Sequence, residues 1–387
     1  MARIDDIECL RAVAVLGVLF HHLQGPLYYW NPGWLGDIFK HAAFWSGVDL
    51  FFAISGFVIA RSLLPQLTAA AGNVVQQRRT LLAFWIRRGF RLLPSAWLWL
   101  ALIMLAAVLF NQSGAFGTVR ANAWATLAGL ANVANFRFAD AFMRYEYGAS
   151  FTYWTLSLEE QFYVLLPLLA WLLRRHLAWL LIALIIVQAS VIRTPLLMSV
   201  RTDALAWGVL LAMVHGGTAW NRMEPTLLRV RWLRYPVLLL LFGALAMISA
   251  DTNGFTLHWR IGLIAFLCTI LVWIASYGRG YICPGGPLKT LLMWTGSRSY
   301  AIYLIHIPAY FLVRECYWRL GLADDSPPAY SSLIYAATAI LVIALLAEAN
   351  YRWVETPLRA IGVRLANRIV SGTRSRPIHE PSATPAL

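Results

Sequence analysis

Arg11 and His22 lie eleven positions apart in the apolar run CLRAVAVLGVLFHHLQG. On a helix that separation is about 16 Å and close to three turns, so both residues occupy roughly one face. An arginine at one depth and an imidazole at another suit an anion contact joined to a proton acceptor; a snorkelling Arg and an interfacial His are the plainer alternative. His21 points about 100° away and is the weaker candidate. Further ionisable residues interrupt later apolar runs: Asp49 in GVDLFFAISGFVI, Glu159 and Glu160 in YWTLSLEEQFYVLLP, Arg201 and Asp203 in SVRTDALAWG, and His306 in SRSYAIYLIHIP. A charge at the bilayer centre costs at least about 2.5–3.5 kcal/mol, so each such group is a functional candidate by default. Asp49 needs a partner, and a histidine would suit it, because a carboxylate fixes an imidazole's tautomer and raises its basicity. The adjacent Glu159 and Glu160 must point to different sides of their helix. Arg87, Arg88 and Arg91 in FWIRRGFRLLP form a cluster suited to phosphates, with positive-inside anchoring as the alternative. Gly47, Ser55 and Gly56 suit close helix packing. In NYRWVETPLR, Tyr351, Arg352 and Glu355 read as an interface anchor.

These residues need spanning helices to position them. The chain has 387 residues, 60% hydrophobic and 13% charged, with 18 Trp, 19 Phe and a mean hydropathy of +0.62. Soluble domains carry about 25% charged residues, so the composition is that of a membrane protein. Continuous apolarity, as in YPVLLLLFGALAMISA, selects helices over the two-residue alternation of a β-barrel. The expected fold is all-α, a polytopic bundle of about ten spans: 9–29, 42–64, 84–110, 152–173, 177–193, 202–216, 235–251, 257–277, 291–314 and 330–354. Arg-rich segments alternate with Arg-poor ones, which puts both termini in the cytoplasm. Asp5, Asp6 and Glu8 before the first run argue for an uncleaved helix rather than a signal peptide. Residues 121–135 read as an interfacial or re-entrant helix in a long outer loop. Residues 1–360 form the transmembrane domain, and 361–387 a basic, disordered tail. The net charge of +14 sits between spans and does not indicate a nucleic-acid partner. Cys9, Cys268, Cys283 and Cys316 have neither metal-ligand nor disulfide spacing. With this topology His22, Asp49, Glu159, Glu160, Arg201, Asp203 and His306 fall in the outer half of the bilayer as one polar centre. Arg11, Arg87, Arg88 and Arg91 fall in the inner half as a basic mouth.

Seven segments in order, from LRAVAVLGVLFHH through GVDLFFAISGFVI, FWIRRGFRLLP, WTLSLEEQFYVLLP, RTDALAWG and SYAIYLIHIP to YRWVETPLR, resemble the acyltransferase-3 family of bacterial membrane acyltransferases over nearly the whole chain. The resemblance implies a multi-pass protein of the bacterial inner membrane. Its donor would be acyl-CoA, usually acetyl-CoA, used from the cytoplasm, and its acceptor a hydroxyl on a carbohydrate or lipid-linked sugar. It ties catalysis to Arg11 and His22, and CoA binding to Arg88 and Arg91. Many relatives carry a C-terminal esterase-like domain; without one, this chain is expected to act alone, as a homodimer or with a separate periplasmic partner. In the mechanism this implies, Arg87, Arg88 and Arg91 hold the CoA phosphates. His22, oriented by Asp49 or Glu159, takes the acceptor proton, and Arg201 or Tyr303 stabilises the oxyanion. An acyl-histidine relay is the variant, and a transporter or flippase without chemistry is the rival class.

Overall fold

The computed structural model describes residues 3–250, 259–283, 285–323 and 329–371. The helices run in order: α1 Asp5–His21, α2 Gly33–Phe39, α3 Gly47–Ala69, α4 Val74–Leu109, α5 Val119–Leu130, α6 Ala134–Ala141, α7 Tyr153–Leu173, α8 Leu177–Ser190, α9 Pro195–Ser199, α10 Asp203–Val214, α11 Thr218–Arg222, α12 Arg231–Ser249, α13 Arg260–Ser276, α14 Gly286–Ser297, α15 Ser299–Arg319, α16 Ala329–Asn350 and α17 Thr356–Ser371. Among the described residues there is no named strand. Six helical stretches are long and apolar enough to cross a bilayer: Gly47–Ala69, Val74–Leu109, Tyr153–Ser190, Pro195–Val214, Arg231–Ser249 and Tyr330–Ser371. The chain is an all-α, multi-pass membrane protein.

Each of the ten apolar runs contains a helix, with differences of outline. The third starts at Val74 rather than 84. Its 36 residues extend about 54 Å, well beyond a hydrocarbon core of about 30 Å, so Arg87, Arg88 and Arg91 sit about four turns inside it. Asn73 caps its start by accepting a hydrogen bond from the Gln76 amide at 3.0 Å, the ordinary N-cap contact that pairs an otherwise orphaned donor. The ninth run, 291–314, is divided between α14 and α15 at Arg298, whereas the sixth, 202–216, forms the single helix α10 behind a short α9. α9 and α10 are separated by the non-helical stretch 200–202, and Arg201 sits in the gap. Gln188 restores one freed backbone group by accepting from the Thr202 amide at 3.0 Å; exposed to lipid, that group would be costly. The last run continues past its expected end through a π-turn at Tyr351–Glu355 into α17. Residues 361–371, expected to be disordered tail, are helical instead. Ala366 is buried, and a Cβ on Gly362 would meet the Phe90 ring of α4. Residues 372–387 lie outside the described part.

Segment 121–135 does not span. α5 has 12 residues, about 18 Å of helix, and α6 turns back beside it. The two pack on α4 and α7 as a platform at the end of the bundle where α1 finishes. α3 and α10 pack backbone to backbone. A Cβ on Gly56 would lie 2.1 Å from the Leu205 carbonyl oxygen, and one on Gly208 would lie 2.2 Å from that of Ala53. Only glycine at both positions permits this backbone contact, the small-residue packing expected for Gly56.

Candidate active site

Three groupings stand in place of the expected one polar centre and one basic mouth. At the end where α1 begins, an open cavity is lined by Arg3, Arg11, Arg61, Arg87, Arg88, Arg91 and Arg359, with Glu8 as the only acidic lining residue. Glu8 bridges Arg3 at 2.9 Å and Arg11 at 3.1 Å. Seven guanidinium groups facing one carboxylate leave this mouth strongly positive, a site for a polyanion. The sequence pointed to Arg11, Arg87, Arg88 and Arg91. It missed Arg3, Arg61 and Arg359, which come from distant segments and have no local pattern. Glu8, one turn before Arg11, was legible as an i, i+3 partner.

The mouth continues into a second, narrower cavity between α1, α3, α4, α7 and α15. Arg11, Arg88 and Arg91 line both. Arg88 lies 5.7 Å from the Phe84 ring centre and 5.3 Å from that of Tyr163, held between the two by cation–π contacts. Glu159 also lines the cavity, accepting a short hydrogen bond from Tyr163, whose hydroxyl lies 2.7 Å from Ser55 Oγ. Glu159 was expected beside the histidines and instead faces the arginines as their counter-charge. Glu160, its neighbour, lines a separate lateral cavity with Gln161 and Phe136: adjacent helical residues point about 100° apart. Further along, Tyr303 lines the main cavity, with its hydroxyl 2.7 Å from Thr155 Oγ1.

Beyond Tyr303 lies the second grouping. His306 is fully buried at 0% exposure, and its Nδ1 sits 2.7 Å from the Tyr303 carbonyl oxygen. Its Nε2 is 3.1 Å from His22 Nδ1. A carbonyl can only accept, so the proton is on His306 Nδ1. In a neutral imidazole the other nitrogen then accepts, so His22 Nδ1 must donate. This chain of bonds leaves His22 with an unprotonated Nε2, which carries no hydrogen bond to the protein among the described residues. His22 is the C-cap residue of α1 and partly exposed. On its other side the Phe151 ring lies 5.5 Å away. Phe151 lines an open groove at the platform end. The pair of histidines thus stands between two openings, with Tyr303 on one side and Phe151 on the other.

The third grouping corrects two expectations. Asp49, at 0% exposure, does not orient His22. It accepts both Arg201 Nε at 2.8 Å and Arg201 Nη2 at 3.0 Å. Arg201 Nη1 donates to the Met198 carbonyl at 3.1 Å, and the guanidinium lies 4.9 Å from the Trp154 ring centre. With all three nitrogens engaged and 3% exposure, Arg201 is not placed to stabilise an oxyanion. Asp203 binds Arg193 at 2.8 Å. These four charges form a paired network that closes the break between α9 and α10. Near α17, Arg352 pairs with Glu348, Glu355 accepts from Asn350 Nδ2 at 2.9 Å, and Tyr351 lines the basic mouth.

A membrane-embedded helical bundle in which a basic mouth leads through a polar cavity to a buried pair of histidines defines the class. The acyltransferase domain family matches residues 4–348, and the chain belongs to that family. It is similar to the O-acetyltransferase OatA of Staphylococcus aureus, 27% identical over 93% of this chain and 58% of that protein. It is similar at the same identity to the peptidoglycan O-acetyltransferase OatA of Listeria monocytogenes, over 93% of this chain and 56% of that protein. The chain therefore spans less than three fifths of the length of these relatives. No solved structure matches it.

Proposed function

We propose that the chain is a membrane O-acyltransferase of the bacterial inner membrane that moves an acyl group, acetyl in the simplest case, from cytoplasmic acyl-CoA to a hydroxyl of a carbohydrate or glycolipid at the outer side. The observation that carries this reading is the His22–His306 pair, hydrogen-bonded at 3.1 Å between two openings, with a bare Nε2 on His22. The names of the relatives, O-acetyltransferase and peptidoglycan O-acetyltransferase, support the reaction and a cell-wall glycan as acceptor. The proposed topology has ten spans, with both termini and the basic mouth in the cytoplasm.

In this mechanism the arginine mouth binds the 3′-phosphate and diphosphate of CoA, whose negative charge matches its seven guanidinium groups. Arg88 stands at the junction of mouth and inner cavity, where the pantetheine arm enters. The thioester carbonyl comes to rest near Tyr303, whose hydroxyl can turn from Thr155 to the developing oxyanion. The acceptor oxygen attacks the carbonyl carbon as His22 Nε2 takes its proton. Collapse of the tetrahedral intermediate breaks the C–S bond, and the proton passes to the departing CoA thiolate. General-base help of this kind contributes about 10²–10⁴-fold. The imidazolium charge that forms on His22 is shared through His306 towards the Tyr303 carbonyl.

A second reading has one specific support: the histidines stand between the two openings, and neither His22 nor His306 is a lining residue of either. A relay in which His22 Nε2 accepts the acyl group from one side and yields it to the acceptor on the other fits that position. A transporter without chemistry leaves the tautomer-fixed pair without a task.

The test uses purified chain and labelled acetyl-CoA, following CoA release and label transfer to glycan. His22→Ala and Arg88→Ala should abolish transfer while the protein still inserts and remains monodisperse. Label trapped on protein without acceptor, lost in His22→Ala, selects the relay. Full activity in His22→Ala refutes both readings.

A further inference from the structure

Resting on the reading above, we infer that the groove at the platform end is an acceptor site that reads a carboxylate on a glycan strand through Arg314. Its position comes first. The groove is walled by the loop around α5 and α6 on one side and by the end of α15 on the other. Phe151 belongs both to this groove and to the ring contacts of His22 at 5.5 Å. A ligand lying along the groove therefore ends one aromatic ring away from the bare Nε2.

The walls are held in place without a ligand. Glu315, at 0% exposure, accepts from the backbone amides of Gln112 at 2.9 Å and Ser113 at 2.8 Å and from Arg319 at 2.7 Å, which pins the loop to α15. Glu146 accepts from Thr118 through both its amide and its hydroxyl at 2.9 Å. Gly117, at φ +74°, lies so close that a Cβ would stand 1.7 Å from that carboxylate. A groove built this way needs little ordering on binding, which is where affinity is otherwise lost.

Its lining then selects the ligand. Phe138, Phe142, Phe151 and Phe311 line the groove, an aromatic wall of the kind that packs on the C–H faces of pyranose rings. Arg314 is fixed among them. Its Nη1 donates to the carbonyls of Gly25 at 3.2 Å and Pro26 at 3.4 Å, and its guanidinium lies 5.3 Å from the Tyr29 ring centre and 5.9 Å from that of Phe311. Among the described residues Nε and Nη2 have no acceptor and no carboxylate pairs with Arg314. Nε and Nη2 are the two parallel donors of the side-on fork, whose natural complement is a single carboxylate. A neutral sugar could offer that fork only uncharged hydroxyl oxygens, which accept more weakly than a carboxylate, and an alkyl chain would leave it in an apolar setting. Aromatic faces plus one oriented fork describe an acidic glycan.

The experiment measures binding of tri-galacturonate and of its methyl ester to the full chain in detergent micelles, by tryptophan fluorescence or calorimetry. The ester keeps the sugar rings and removes the charge. The acid should bind about tenfold or more tighter than the ester, the range expected for hydrogen bonds to a charged group. Arg314→Gln should abolish that preference, and Arg314→Lys, which keeps charge but loses the fork, should restore only part of it. Acetyl-CoA binding should be unchanged in both variants, which also reports that they are folded. Equal binding of acid and ester by the wild type, or a preference surviving in Arg314→Gln, overturns the inference. Displacement of tri-galacturonate by phosphatidylglycerol at Arg314 also overturns it, by giving the groove to a lipid headgroup. Acid preference in a protein that binds no acetyl-CoA would sustain the groove and sink the acyltransferase reading, so the two failures are distinct.

Discussion

His306→Ala tests the step on which the proposed chemistry depends. The substitution removes the acceptor 3.1 Å from His22 Nδ1 and leaves His22 free to take the other tautomer, with its proton on Nε2. Only the tautomer with a bare Nε2 can accept the acceptor's proton. The cost of leaving a buried donor unmatched is about 1–3 kcal/mol, which converts at about 1.4 kcal/mol per factor of ten to a loss of roughly 5- to 150-fold in kcat. That is smaller than the 10²–10⁴-fold expected from removing a general base altogether, so His306→Ala should be clearly more active than His22→Ala. His306→Gln should recover part of the loss, because its amide oxygen can accept from His22 Nδ1 although it cannot share the charge as an imidazole does. The KM for acetyl-CoA should not move, since His306 is not among the residues lining the basic mouth. The assay is steady-state CoA release in the presence of a glycan acceptor, with both substrates varied. Wild-type kcat in His306→Ala, or a changed KM for acetyl-CoA with unchanged kcat, would refute the role of His306 in setting the His22 tautomer.

Three further outcomes follow from particular contacts. Breaking the Asp49–Arg201 pair by Arg201→Met alone leaves a buried carboxylate without a partner and should cost about 3–5 kcal/mol, whereas Asp49→Leu with Arg201→Met should recover most of that; thermal unfolding in detergent measures both. Gly56→Ala places a methyl group 2.1 Å from the Leu205 carbonyl and should destabilise by about 1–3 kcal/mol through overpacking, seen as a lower midpoint in the same scan; an unchanged midpoint would mean that α3 and α10 are further apart. The proposed orientation predicts that Met143→Cys, at a position 92% exposed on the platform side, reacts with a membrane-impermeant maleimide on whole spheroplasts, while Val75→Cys near the start of α4 reacts only after lysis. The reverse pattern would invert the topology and place the arginine mouth outside.

The helices were legible because continuous apolarity over about twenty residues has one common solution in a bilayer. All ten expected runs contain helix, and the 121–135 segment holds no helix of spanning length, since α5 has only 12 residues. Periodicity also put Arg11 in a cavity wall and His22 three turns further along α1, since that spacing is fixed within one helix. Pairing between helices has no such local rule. Asp49 and Arg201 are 152 positions apart, and His22 and His306 are 284 apart. From sequence, Asp49 looked like a partner for His22; in the fold, the break between α9 and α10 brings Arg201 to it first, and a bidentate cation outcompetes a neutral ring for a buried carboxylate. Glu159 followed the same logic, turning to the arginines rather than the histidines. The sequence by itself determined that an imidazole, several arginines and several carboxylates would be buried together, because their run of origin allows no other place. Only the tertiary structure decided which of them meet, and so which histidine nitrogen is left with its lone pair free: that choice rests on a carbonyl of α15 three residues before His306, which the order of residues does not reveal.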